Sequence, residues 1–428
     1  MMQRSMALLA GGAVLFVLAV DSQSAEKPKI KPYPHYWISV ATSNQIIPGM
    51  SSEMAGMASI FGGGGGFDGP RRDLNLQLES PRTVTALPEA FHDIPPGQNM
   101  GKTLPLMTPK NEVVPSQPPE REYKPDKHEK GKIRLLYYWG CGDTIGAGQP
   151  RVFDSEKNNP ADMARIFKGR TPTVQTPPSV HKGWTYGEWP YADERTTIPK
   201  DSSLVGEHRI RGNYTIDIPF SLDTKRDFMA PVEFSTVQTT AAGTTKLEWK
   251  RIPTAIGYFA TAMGSDGNSG DTVMWSASEV PENGMALMDY LTPGDVQRFI
   301  KDRVVMEPSR TSCTVPPIFK NSQGAMLQFI AYGEQLDLVH PPKPKDPKHN
   351  WHPEWSVKVR LKSTAMTPLG IETGERESYE KSSSRKSRSK SRPDQDDVSE
   401  QSSDGEKTGS KKSKERGAGD AIRGIFGF

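Results

Sequence analysis

Residues 245–277, TKLEWKRIPTAIGYFATAMGSDGNSGDTVMWSA, decide the fold class. Three runs within them, Thr245 to Lys250, Gly257 to Met263 and Asp271 to Ala277, are rich in β-branched and aromatic residues and are separated by turn residues. Short runs of this composition, bounded by Gly, Pro, Asn and Asp, read as β-strands. The same signal continues on both sides. Downstream, Ala325 to Tyr332 is a further strand, and so is Trp355 to Leu361, with apolar residues at Trp355, Val357, Val359 and Leu361. That period of two belongs to a strand with one face buried. Upstream, Tyr214-Thr215-Ile216-Asp217-Ile218, Lys132 to Trp139, Asp73 to Leu78 and Tyr36 to Val40 also read as strands. Two short helices are predicted. Pro160 to Phe167 begins on proline, and Thr292-Pro293-Gly294-Asp295 supplies a cap, a first-turn proline and an acid at the helix N-terminus, followed by Val296, Phe299, Ile300 and Val304 at helical spacing. The expected fold class is mainly β: a β-sandwich, a second β-rich unit and a short helix insertion.

Lys246-Leu247-Glu248-Trp249, Pro253 and Gly257-Tyr258-Phe259-Ala260-Thr261-Ala262 together resemble a fibronectin type III sandwich. In that family a strand with a buried Trp leads through a Pro-containing turn into a strand whose Tyr packs on it. The turn from Ser265 to Asp271 and the strand Thr272-Val273-Met274-Trp275 extend the likeness over residues 245–280. The resemblance implies a β-sandwich and no particular activity, because sandwiches carry many functions. The helix near 293–303 departs from the family pattern. A second stretch, Tyr138-Trp139-Gly140-Cys141-Gly142, resembles a family of exported bacterial proteins and implies no chemistry.

The chain's 428 residues allow one to three domains, and 39 glycines with 37 prolines favour turns and loops over long helices. At the N-terminus Arg4 precedes an apolar run from Ala7 to Val20, and Ser22 and Ser24 stand at −3 and −1 of a cut before Ala25. This is the pattern of a secretory signal peptide over 1–24, too short in its apolar part for a membrane span. An N-terminal β-rich unit is expected over 33–160, folding alone or packed on the second unit, with a Gly-rich loop at 48–66. A turn-rich connector over 161–204 follows, then the β-sandwich domain over 205–365. Residues 374–418 carry alternating basic and acidic blocks with almost no apolar side chains, the composition of a disordered tail. The tip at 419–428 is apolar again, with Ile422, Ile425, Phe426 and Phe428 placed for docking or for peripheral membrane contact.

Candidate sites are few. Cys141, between two glycines at a strand end, has the setting of a nucleophile on a tight turn, but no histidine stands at a family spacing from it. Cys141 and Cys313 are otherwise a possible disulfide in an exported chain, or two buried thiols. His340, His349 and His352 share a segment with Glu354 and are candidate zinc ligands, although the segment is Pro-rich and not helical. Asp266, Asn268 and Asp271 resemble the start of a calcium loop, but Gly270 and Asp271 stand at its fifth and sixth positions and Ala277 at its twelfth, so a plain hairpin turn explains them equally. Gly62 to Gly66 lacks the residues of a phosphate loop, and no cofactor is implied. A net charge of +3 gives no sign of nucleic-acid binding. The leading expectation is an exported structural or interaction protein without catalytic activity. It would be periplasmic, outer-membrane-associated or secreted, with a protein or envelope polymer as partner and the tail as a candidate place of contact. The alternatives are a hydrolase using Cys141, and a carbohydrate-binding module using Trp139, Trp184, Trp189, Trp351 or Trp355.

Overall fold

The computed structural model describes residues 31–45, 70–109, 132–191, 196–322, 324–346 and 350–369. The expected signal peptide, the Gly-rich loop at 48–66, the charged tail and the apolar tip with Ile422, Ile425, Phe426 and Phe428 lie outside these residues, as does His349. Among the described residues the protein is mainly β. The strands in chain order are β1 (His35–Gln45), β2 (Arg71–Ser80), β3 (Ala90–Asp93), β4 (Thr103–Leu106), β5 (Arg134–Trp139), β6 (Arg151–Asp154), β7 (Thr185–Trp189), β8 (Gly206–Gly212), β9 (Ile218–Leu222), β10 (Phe234–Thr239), β11 (Thr245–Trp249), β12 (Ala255–Ser265), β13 (Thr272–Ser276), β14 (Ser312–Val315), β15 (Ala325–His340) and β16 (Trp355–Leu369). The helices are α1 (Pro160–Ile166) and α2 (Pro293–Lys301). The expected Pro160 stands in the first turn of α1, where Asn159 and Asp162 also close a capping box that the sequence reading did not single out; on α2 the expected Thr292 cap accepts from the Asp295 N–H.

The strands form three sheets. The central one has nine strands in the order β6-β5-β13-β12-β15-β16-β1-β2-β7; the others are β10-β11-β14 and β4-β3-β8-β9. Alternation decides what the central sheet faces. Tyr36, Ile38 and Val40 of β1, Leu74, Leu76 and Leu78 of β2, and Val357, Val359 and Leu361 of β16 are all buried on one face. There they join Ile210, Phe220, Leu247 and Trp249 of the two smaller sheets in one continuous core. On the opposite face, α2 buries Val296 and Phe299 against Phe259, Ile330 and Tyr332, and α1 brings Met163 and Ile166 against Tyr137 and Met274. Trp249, 3 % exposed, meets Tyr258 edge-on across the two sheets, with ring centroids 5.7 Å apart.

Three expectations change. The units expected over 33–160 and 205–365 share one sheet: β1 pairs in parallel with β16, and β5 in parallel with β13. Strand signals are local, whereas partners so distant in sequence are chosen by the fit of whole faces, so a boundary drawn on composition misses the pairing. The connector over 161–204 supplies β7, an edge strand antiparallel to β2, which the nearby turn signals such as Trp189-Pro190 hid. Tyr214 to Asp217 is the bend between β8 and β9 rather than a strand. Its sequence alternation is not matched by alternating burial: Tyr214, fully buried, and Thr215, 4 % exposed, are neighbours that both turn inward from the bend.

Gly257 of β12 lies directly beneath Val296 of α2. A Cβ there would stand 2.8 Å from Val296 Cγ1 and 2.9 Å from Val305 Cγ1. Gly257→Ala should therefore overpack this layer and lower stability by about 1–3 kcal/mol, read as a drop in urea midpoint at unchanged m.

Candidate functional site

Cys141 and Cys313 form a disulfide with Cα atoms 5.1 Å apart. Cys141 follows β5 in the central sheet and Cys313 lies on β14, so the bond ties the three-stranded sheet to the central one. The Gly142 N–H donates to the Thr314 carbonyl at 2.8 Å beside it, and Trp275 Nε1 donates to the Gly140 carbonyl at 2.9 Å. The glycines flanking Cys141 thus serve a turn that meets a neighbouring sheet. A sulfur held in this bond is not a thiolate and has no nucleophilic role.

The other sequence candidates are engaged locally. Asp266 Oδ1 accepts from the N–H groups of Asn268 (3.0 Å) and Ser269 (2.9 Å), the first of these lowering its pKa less than the second, and Asp271 pairs with Arg134 at 3.0 Å. The Asp266 carboxylate closes the β12–β13 turn, and the Asp271 carboxylate ties its end to β5. His340 stacks on Trp355 with centroids 5.1 Å apart, while His352 is exposed. Among the described residues no three His, Cys, Asp or Glu side chains are grouped as a metal ion would require. Trp189 and Trp355 are buried, and Trp139, Trp184 and Trp351 are half-buried. Trp351 donates to the Pro341 carbonyl at 2.8 Å, and Trp184 stacks on His35 with centroids 6.0 Å apart.

The feature that stands apart is the outer face of β16, β1, β2 and β7. The helices cover the other half of the central sheet; here the side chains on that side are Lys358, Arg360 and Lys362 on β16, the buried Trp37 and Ser39 on β1, and Asn75, Gln77 and Glu79 on β2. Alternation on β16 places its three cations in one row, roughly 6.7 Å apart at the usual strand rise. Arg360 is central. Its guanidinium carbon lies 5.2 Å from the Trp37 ring centroid and 4.3 Å from that of Tyr290, and its Nε donates to Ser39 Oγ at 2.8 Å. Lys358 lies 5.0 Å from Trp37 and pairs with Asp337 at 2.8 Å; Lys362 lies 4.3 Å from Tyr290 and pairs with Asp289 at 2.7 Å. Arg360 forms no ion pair with a carboxylate among the described residues. Burial lowers its pKa from the ordinary guanidinium value and pushes the Tyr290 phenol up. A cation held between two rings with unpaired guanidinium N–H groups is a donor suited to a carboxylate or phosphate.

A strap over residues 168–184 borders this face. Two buried carboxylates anchor its start. Glu282, 1 % exposed, accepts from the Arg170 N–H at 2.7 Å, and Asp295, 3 % exposed, accepts from the Thr173 N–H at 2.8 Å. Burial pushes the Glu282 carboxyl up, against the opposing pull of the Arg170 and Gly284 N–H groups. Farther along, Gln77 donates to the Pro178 carbonyl at 3.3 Å and Glu79 accepts from the Ser179 N–H at 3.2 Å. Val174 and Val180 of the strap remain exposed.

Sequence reasoning passed over Arg360, Trp37 and Tyr290. The alternation that marked Val357, Val359 and Leu361 as inward also marks Lys358, Arg360 and Lys362 as outward, so the cation row had a signal. Tyr290 had none, since it reaches Arg360 from a loop. The chain matches no protein-family model and no curated protein sequence.

Two outcomes test this description. Replacing both cysteines, C141A/C313A, should cost about 2–5 kcal/mol of unfolding free energy in urea, because the bond closes a long loop. Arg360→Ala should cost about 1–2 kcal/mol through two lost ring contacts and one hydrogen bond, with Arg360→Lys falling in between.

Proposed function

We propose that this chain is an exported, non-enzymatic interaction protein that contacts an acidic partner through the outer face of β16, β1, β2 and β7. The observation that carries the reading is Arg360, held between Trp37 and Tyr290 with no carboxylate pair among the described residues, at the centre of a cation row. Half of the central sheet's outer side is covered by helices; on this half the Tyr290 loop and the strap cover Trp37 and Ser39, while Asn75 is exposed and Lys358, Arg360 and Lys362 are half-buried. The part of such a face that stays exposed has solvent or a partner as its cover.

Export rests on the expected signal peptide and on the disulfide, a bond that persists in oxidising compartments. Among the described residues no helix is long and apolar enough to cross a membrane. The Trp249–Tyr258 contact supports extending the fibronectin type III likeness to this chain as part of the same reading. The hydrolase alternative loses its nucleophile to the disulfide, and the carbohydrate-binding alternative loses Trp189 and Trp355 to the core.

A photo-cross-linking side chain placed at Asn75, exposed on the outer face of β2, tests the surface in intact cells, with Thr240 in the exposed β10–β11 turn as control. The expected result is an adduct from Asn75 that weakens with Arg360→Ala and is missing from Thr240. Absence of an adduct at Asn75, or equal adducts at both positions, overturns the assignment of the face. Recovery of the protein in the cytosolic fraction with both cysteines reduced overturns export.

A further inference from the structure

The four-stranded sheet is joined to the central sheet by a buried line of hydrogen bonds. Tyr36 of β1 meets His92 Nδ1 of β3 at 2.9 Å, His92 Nε2 meets His208 Nδ1 of β8 at 2.9 Å, and His208 Nε2 meets the Leu204 carbonyl at 2.7 Å. The last acceptor sets the direction of the whole line. A carbonyl only accepts, so His208 Nε2 carries a proton. In the neutral ring its Nδ1 then accepts from His92 Nε2, and His92 Nδ1 accepts from the Tyr36 hydroxyl. Every nitrogen is used once and both rings are neutral. Tyr36, His92 and His208 are all at most 3 % exposed.

We propose that this Tyr36–His92–His208 line is an acid-sensitive latch that holds the four-stranded sheet against the central sheet and releases it as the pH falls. The geometry has no place for an added proton. One proton on His208 would reverse the line, leaving a cation in the core and the Tyr36 hydroxyl proton without its acceptor. A second would set His92 N–H against His208 N–H. The surroundings offer little compensation. From β9, Phe220 stacks on His208 with centroids 5.0 Å apart. From the β8–β9 bend comes Tyr214, also buried. Asp227 holds the Leu204 N–H at 2.8 Å, on the amide side of the residue whose carbonyl ends the line. Asp93 and Arg211 pair with each other on the exposed side of β3 and β8, as do Arg209 and Asp217, and Glu207 alternates outward beside His208. Burial holds His92 well below the ordinary imidazole range, with His208 adding to the effect, and burial also lowers His208.

The sign follows. Both folded-state values are depressed, so the unfolded chain binds more protons at acid pH. The contribution of the latch is full above the ordinary imidazole value of about 6.5 and is lost progressively as pH falls below it. Release would also reach the proposed contact face, because Met107, just past β4, exchanges two backbone hydrogen bonds of 2.9 Å with Glu188 of the edge strand β7.

Hydrogen exchange of the whole protein, corrected for intrinsic chemical rates and compared at pH 7.5 and 5.0, tests the proposal. The expected result is a loss of protection in β3, β8 and β9 that exceeds any loss in β12 and β15 by roughly tenfold or more, as a titrating buried imidazole allows. The variant H92Q/H208Q keeps amide donors and acceptors but does not titrate, and should remove the difference. An acid response of equal size in all strands, or a local response that persists in H92Q/H208Q, overturns the latch. Should the double variant not fold, the strand-by-strand comparison in the unaltered protein decides alone.

Discussion

The structure depends on the parallel pairing of β1 with β16. Its register runs from His35 opposite Ser356 to Gln45 opposite Met366, so strands from opposite ends of the described chain lie side by side. A parallel pair cannot be made by a hairpin and requires a long crossover. Here that crossover contains nearly everything else: the four-stranded sheet, the three-stranded sheet, both helices and the other strands of the central sheet. The ordering entropy of so long a closure has to be offset by burial. The core that offsets it is the shared face of Tyr36, Ile38 and Val40 with Val357, Val359 and Leu361, beneath the two smaller sheets.

The two faces of this pairing have opposite chemistry for one reason. Side chains on a strand alternate, so a β16 that puts Val357, Val359 and Leu361 inward has no choice about where Lys358, Arg360 and Lys362 go. The inward set makes the core and the outward set makes the candidate contact surface. Trp37 sits opposite Lys358 in the register, and its position on β1 brings it within reach of Arg360 as well. The core and the surface are therefore linked: a one-residue slip of β16 would bury the cations and expose the valines together.

Polar groups inside the protein join its layers. The disulfide ties the three-stranded sheet to the end of β5. The Tyr36–His92–His208 line ties the four-stranded sheet to β1, and Glu282 and Asp295 tie the strap to the helical layer. Each lies where two layers meet and a purely apolar contact would leave orientation loosely set. Fully hydrogen-bonded buried groups supply that orientation, at the cost that a change in protonation or redox state is felt by a whole layer.

The amino-acid sequence by itself determined the fold class and most of the elements. Strand composition and period-two alternation marked β1, β2, β5, β11, β12, β13, β15 and β16, and proline, Thr292 and Asp295 marked the helices. These signals are local, carried by residues a few positions apart. Tertiary structure alone decided which strands are neighbours, that β7 belongs to the central sheet, and that Tyr214 enters the core from a bend. It also chose between the alternatives left open for Cys141 and Cys313, whose sequence separation of 172 puts their pairing beyond any local pattern. Arg360 divides along the same line. Its outward direction was written in the alternation of β16, but the rings of Trp37 and Tyr290 that enclose it come from a distant strand and a loop, and only the packing of layers brings them together.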